Sequence, residues 1–199
     1  RVTAQLVGLG VGPGDRVALL AHNGVEWVAS WYGALAAGAV VVPINTAADP
    51  HSLVHYVTDC AARALIVGPR LDRVVTQAGA RLGALAIVKP DLTAAAPPPA
   101  PPALGPGDRA AIIYTSGSTG KPRGAVLTHG NLTANVAAIV QSLALADDER
   151  NLAHLPFYYV YGLSILNMTV AVAGTVVVEN RFQYPNTVLD TMERERVTG

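Results

Sequence analysis

Runs of uninterrupted aliphatic residues recur along this chain, each joined to a segment whose apolar residues carry helical spacing. Arg16 to Leu20, Ala39 to Val42, Ala64 to Val67 and Ala84 to Val88 have no alternation of apolar and polar positions. A strand that is apolar at every position needs cover on both faces, whereas a sheet with one wet face alternates. Amphipathic helices between such strands supply that cover, so the pattern predicts an α/β fold with mainly parallel sheets flanked by helices.

The helices carry their own punctuation. Asn23 followed by Glu26 has the form of a capping box for a helix through Trp27, Trp31 and Leu35 that stops at Gly38. Asp49 followed by Pro50 predicts a cap and first helical residue for the next, running through Leu53, Tyr56 and Val57. Leu71 to Leu82 reads as a third helix. Residues 1–88 are therefore βα repeats. From Lys89 to Gly107 the pattern fails, because Ala95-Ala96-Pro97-Pro98-Pro99-Ala100-Pro101-Pro102 cannot form helix or ladder and favours a polyproline II surface connection. The alternation resumes over residues 108–199, with strands at 110–114, 125–127, 151–155 and 175–179 and helices at 131–143 and from Tyr161 to Val172.

Composition narrows the function. Lys plus Arg and Asp plus Glu are 14 each, so no global field draws nucleic acid or anionic lipid. Hydrophobic residues make up 51% and charged ones 14%, against about 25% charged in an average domain. That surplus predicts apolar surface covered by a missing part of the protein or by a second subunit in a homodimer. Trp31 to Ile44 and Leu163 to Val178 are broken by Gly and polar residues and fall short of the roughly 20 apolar residues that span a bilayer. A single cysteine, Cys60, excludes an internal disulfide and fits a cytoplasmic location.

The chemistry is concentrated in Tyr114-Thr115-Ser116-Gly117-Ser118-Thr119-Gly120-Lys121-Pro122-Arg123-Gly124. Glycines let backbone N–H groups approach a ligand, hydroxyls add neutral donors, and Lys121 and Arg123 add positive charge. Such a turn after a buried strand suits a polyphosphate. It is neither a Walker A loop, since Pro122 follows Gly120-Lys121, nor the Gly-x-Gly-x-x-Gly of dinucleotide binders.

This segment resembles the signature loop of the adenylate-forming superfamily, which includes acyl-CoA synthetases, luciferases and peptide-synthetase adenylation domains. The stretch from Ala34 to Asn45 resembles the family's helix, Gly, strand, Pro element, and Leu155 to Leu163 its Pro-aromatic segment. Tyr159 stands where acyl-CoA synthetases commonly carry His.

The resemblance implies an AMP-forming ligase that joins a carboxylic acid to CoA through an acyl-adenylate, using ATP with Mg2+. It implies phosphate donors at Thr115, Ser116, Ser118 and Thr119, close approach at Gly117 and Gly120, and a cation at Arg123. Lys121 falls at a variable position and is either a phosphate contact or a solvated charge. Tyr159, Tyr161 and Gly162 are implied to border the acyl pocket, or else are ordinary packing aromatics. His129 fits a cap or surface role better than a general base. Within the family's pattern these residues lie in the N-terminal AMP-binding domain. The magnesium-binding acid, the C-terminal domain and its catalytic lysine fall beyond Gly199, so no catalytic residue is assigned and the chain is expected to be a partial, inactive piece. The competing readings are an adenylation domain that loads a carrier protein and a non-catalytic nucleotide- or protein-binding domain.

Overall fold

The computed structural model describes residues 1–93, 97, 99–115 and 122–199. The order is α1 (Val2–Gly8), β1 (Arg16–Leu20), α2 (Val25–Ala36), β2 (Val40–Pro43), α3 (Pro50–Asp59), β3 (Ala64–Val67), α4 (Asp72–Ala78), a 3-10 turn (Gly79–Leu82) and β4 (Ala86–Val88). Then come β5 (Arg109–Thr115), β6 (Arg123–Thr128), α5 (His129–Leu143), β7 (Arg150–Ala153), α6 (Val160–Ala171), β8 (Thr175–Val178) and α7 (Pro185–Arg194). The chain forms two compact units, Arg1–His129 and Gly130–Gly199.

In the first unit six strands lie in the order β4-β3-β1-β2-β5-β6. All neighbours are parallel except β5 and β6, which run antiparallel. Val17, Ala18, Leu19 and Leu20 of β1 are wholly buried, as are Ala64 to Val67 of β3, which is why both runs are apolar throughout. Burying a Val, Leu or Ile side chain contributes roughly 1.5–3 kcal/mol, so these central strands dominate the core. Trp27 and Trp31 of α2 stack with ring centroids 5.5 Å apart and are also fully buried.

Asp49 caps α3 as expected, its carboxylate accepting from the N–H groups of His51 and Ser52 at 2.8 and 3.0 Å. Gly38 follows the end of α2 with φ +79°, where a Cβ would come within 2.8 Å of Pro102 and 3.1 Å of the Pro13 backbone. The capping box expected at Asn23 is absent: Gly24 is the N-cap of α2 and no side chain caps it. Asn23 is instead buried and engaged in other interactions. α1 has no counterpart in the sequence pattern, and the third helix is α4 broken by the 3-10 turn. The proline-rich stretch does not separate the two units, because β5 returns to pair with β2 at Val41 and Ala111.

In the second unit β7 and β8 pair in parallel, from Arg150 opposite Thr175 to Ala153 opposite Val178, with α6 as the crossover. Buried Asn151 on β7 donates to Thr169 of α6 at 2.9 Å, satisfying a polar group that would otherwise cost free energy to bury. Val188 of α7 packs on Leu152 and Val177. Glu179, 4% exposed, lies just past β8 and accepts from Arg181 Nη2 and Thr191 Oγ1, each at 3.0 Å. These bonds hold the carboxyl of Glu179 down at about 2, Arg181 being the main cause. Among the described residues no helix is long and apolar enough to cross a membrane.

Candidate functional site

β5 and β6 form an antiparallel hairpin whose last pair is Thr115 opposite Arg123. The strands are longer than the 110–114 and 125–127 expected from the sequence, and the ladder takes in Thr115, Arg123 and Gly124. The pairing brings the first hydroxyl and the second cation of the motif to the same neck. Thr115 Oγ1 faces the Arg123 carbonyl at 3.5 Å, a long contact for a hydroxyl donor, and both residues are exposed. Among the described residues Arg123 forms no ion pair. Ser116, Gly117, Ser118, Thr119, Gly120 and Lys121 lie outside the described residues.

The base of this neck is built from α3. Tyr114, one residue before Thr115, donates its hydroxyl to the Asp59 carboxylate and packs its ring on Tyr56, with centroids 4.8 Å apart. His55 meets the same ring edge-on at 6.4 Å, and its buried Nε2 has no hydrogen-bond partner among the described residues. Burial, and after it the bond to Asp59, pushes the Tyr114 phenol well above its usual range, so it stays a donor. Across the ladder from Tyr114 stands Gly124, where a Cβ would lie 2.5 Å from Ile112 Cγ2 and 3.4 Å from Tyr114 Cζ. No spacing rule links positions 59 and 114, and this contact was not legible in the sequence.

The aromatic segment belongs to the second unit. Tyr159 is the N-cap of α6, 52% exposed, and Tyr161 is 67% exposed. Tyr158 and Tyr159 pack against each other with centroids 4.6 Å apart. Gly162 is buried, and a Cβ there would collide with the carbonyl oxygens of Pro156 and Leu155. The segment must therefore have glycine at the point where the chain folds back against α6. Of the three expected acyl-pocket residues, Tyr161 lines a cavity of about 520 Å³ in this unit, and Tyr159 and Gly162 do not. His154, Ile165, Met168, Phe182, Val188 and Met192 also line it. His154 stacks on Phe182 at 4.6 Å, and its buried Nδ1 has no hydrogen-bond partner among the described residues. A lone histidine after a short strand carries no sequence signal that would have singled it out.

Cys60 is buried at the end of α3 and burial raises its thiol to about 11, so it offers no ready nucleophile. Among the described residues no group of three or more His, Cys, Asp or Glu could hold a metal ion.

Known proteins share this fold. The profile of the AMP-binding enzyme family matches residues 1–199. A feruloyl-CoA synthase of an Amycolatopsis species is 38% identical over 200 residues, covering 100% of this chain and 40% of that protein. The inhibitor-bound N-terminal domain of FACL13 from Mycobacterium tuberculosis superposes with a TM-score of 0.89 at 30% identity, covering 98% of this chain and 51% of that one. ATP-bound MatB from Rhodopseudomonas palustris superposes with a TM-score of 0.84 at 32% identity, covering 97% of this chain and 40% of that one. The chain thus spans about two-fifths of the length of the feruloyl-CoA synthases it matches. With the family profile matched from the first residue to the last, over a largely parallel sheet that ends in the hydroxyl- and glycine-rich hairpin, the chain belongs to the AMP-binding enzyme family.

Proposed function

We propose that this chain is the ATP-gripping part of an acid–thiol ligase that makes an acyl-CoA through an acyl-adenylate. In the first half-reaction a carboxylate oxygen attacks the α-phosphorus of ATP and the bond to the bridging oxygen breaks, releasing pyrophosphate. In the second, the sulfur of CoA attacks the acyl carbon and AMP leaves. The residues proposed for the β- and γ-phosphates are Thr115, Ser116, Gly117, Ser118, Thr119, Gly120, Lys121 and Arg123. Their task is to place donors and positive charge where negative charge must be held, which is most of what a protein contributes to such a transfer. Magnesium would add charge neutralisation with ATP, although among the described residues no group of three or more His, Cys, Asp or Glu could hold it.

One observation carries the proposal: the hairpin that sets Thr115 opposite Arg123, which forms no ion pair among the described residues, flanks the motif that the family match covers. The likeness to ATP-bound MatB supports the choice of nucleotide, and that to a feruloyl-CoA synthase the choice of thioester product. Tyr159, Tyr161 and Gly162 are proposed to border the acyl group, with Gly162 shaping the segment and the two tyrosines offering exposed rings. A cytoplasmic location accords with a single buried thiol.

The test is acid-dependent pyrophosphate release by the full-length enzyme, measured with ferulate, fatty acids and short dicarboxylic acids as candidate substrates. Replacing Ser118, Thr119 and Arg123 together by Ala is expected to slow adenylate formation by about 100-fold or more while leaving the fold intact. Pyrophosphate exchange at the unmutated rate would refute the assignment. The isolated 199-residue chain is expected to form no acyl-CoA.

A further inference from the structure

The motif's chemistry accounts for Thr115 onward but leaves the residue before it unexplained. We propose that Tyr114 is a positioning residue for adenylate formation: by bonding Asp59 it ties the neck of the phosphate-gripping hairpin to the end of α3. This rests on the function proposed above.

Three observations carry it. First, Tyr114 is held on two sides, since its ring packs on Tyr56 at 4.8 Å and lies close to the Gly124 position on the opposite strand. A shift of the phenol therefore moves both strands that enter the hairpin, β5 directly and β6 through its pairing with β5. Second, the acceptor stands on a fixed base. Arg16 of β1 donates Nε to the Cys60 carbonyl and Nη2 to the Ala61 carbonyl, each at 2.8 Å, so the chain just after Asp59 is bonded to the first strand of the sheet. Third, beyond the ladder pairing itself, the described side chains at the neck brace it little. The only described side-chain bond of Thr115 is the long 3.5 Å contact to Arg123, and the β6 residues Arg123 to Val126 are exposed.

The path runs from β1 through Arg16 to the end of α3, and from Asp59 through Tyr114 to Thr115. Fixed donors are worth most when they need no reordering at the moment charge develops, so a looser neck should weaken the grip on ATP specifically. A residue that merely stabilised the fold would lower both half-reactions alike.

The experiment uses the full-length enzyme with Tyr114→Phe and, separately, Asp59→Ala, which remove the same bond from opposite ends. Wild-type enzyme must first release pyrophosphate in the presence of its acid; if it does not, the proposed function fails and not this inference. Each variant is expected to raise KM for ATP or lower the adenylation rate by about tenfold, the value of one hydrogen bond to a charged acceptor. Thioester formation from supplied acyl-adenylate and CoA is expected to stay at the wild-type rate, because no β- or γ-phosphate remains to be held. KM for the acid should not move, and Asp59→Asn, which keeps an acceptor oxygen, should recover most of the loss. Wild-type ATP dependence in both variants would overturn the proposal, and so would an equal fall in both half-reactions. Should one variant fold poorly, the other decides, since Phe at 114 keeps the ring packing and Ala at 59 changes only an exposed helix end.

Discussion

Replacing Gly162 by Ala adds one methyl group where the structure has no room for it. The new Cβ would lie 2.8 Å from both the Leu155 oxygen and the Pro156 carbonyl carbon, and closer still to the Pro156 oxygen. Ordinary carbon–oxygen contacts begin near ~3.3 Å, so the Leu155 oxygen must retreat by about half an ångström and the Pro156 oxygen by about one. That retreat pulls the Pro156 carbonyl from the Tyr159 N–H, which it accepts at 3.1 Å to close the turn into α6. Overpacking of this kind costs about 1–3 kcal/mol, and the weakened bond about 1 more. A total near 3 kcal/mol converts to a fall in Tm of about 6–12 °C for a chain of this size. The assay is thermal unfolding followed by near-ultraviolet circular dichroism, which reports on the packing of the chain's seven tyrosines and two tryptophans together. Gly8→Ala is the control, because its Cβ would meet nothing within 4 Å, and it should move Tm by less than about 2 °C. If Gly162→Ala melts within 1–2 °C of the native chain, the argument that sterics dictate glycine here is wrong.

The acid limb of stability should depend on Glu179. Its folded carboxyl sits at about 2 against an ordinary value of 4.5, so its bonds stabilise the second unit fully above pH 4.5, and that contribution is lost as pH falls towards 2. Urea midpoints between pH 6 and 3 should therefore fall less steeply for Glu179→Gln than for the native chain; parallel slopes would count against this. Trp31→Ala, which removes a fully buried ring stacked on Trp27, is expected to cost about 3–5 kcal/mol in urea unfolding. Cys60, buried and with its thiol raised to about 11, should resist a thiol reagent at pH 8 until the chain is unfolded, and rapid labelling of native protein would show the end of α3 to be open.

Sequence pattern alone determined the parallel core, because a strand covered on both faces has to be apolar at every position, as Val17 to Leu20 and Ala64 to Val67 are. It also determined the Asp49 cap, the stop at Gly38 and the motif that joins the chain to its family, since each depends on residues within a few positions of one another. Only the tertiary structure decided the strand order, the antiparallel turn of β6 and the units' division at His129, which depend on how distant segments pair. It alone showed Gly24 displacing Asn23 at the start of α2 and folded α1, too short for its own periodicity to announce it. The contact of Tyr114 with Asp59 and the burial of Glu179 belong to the same class. Partners 55 and 12 residues apart meet because the packing of sheet and helices places them together, and local preference carries no record of that.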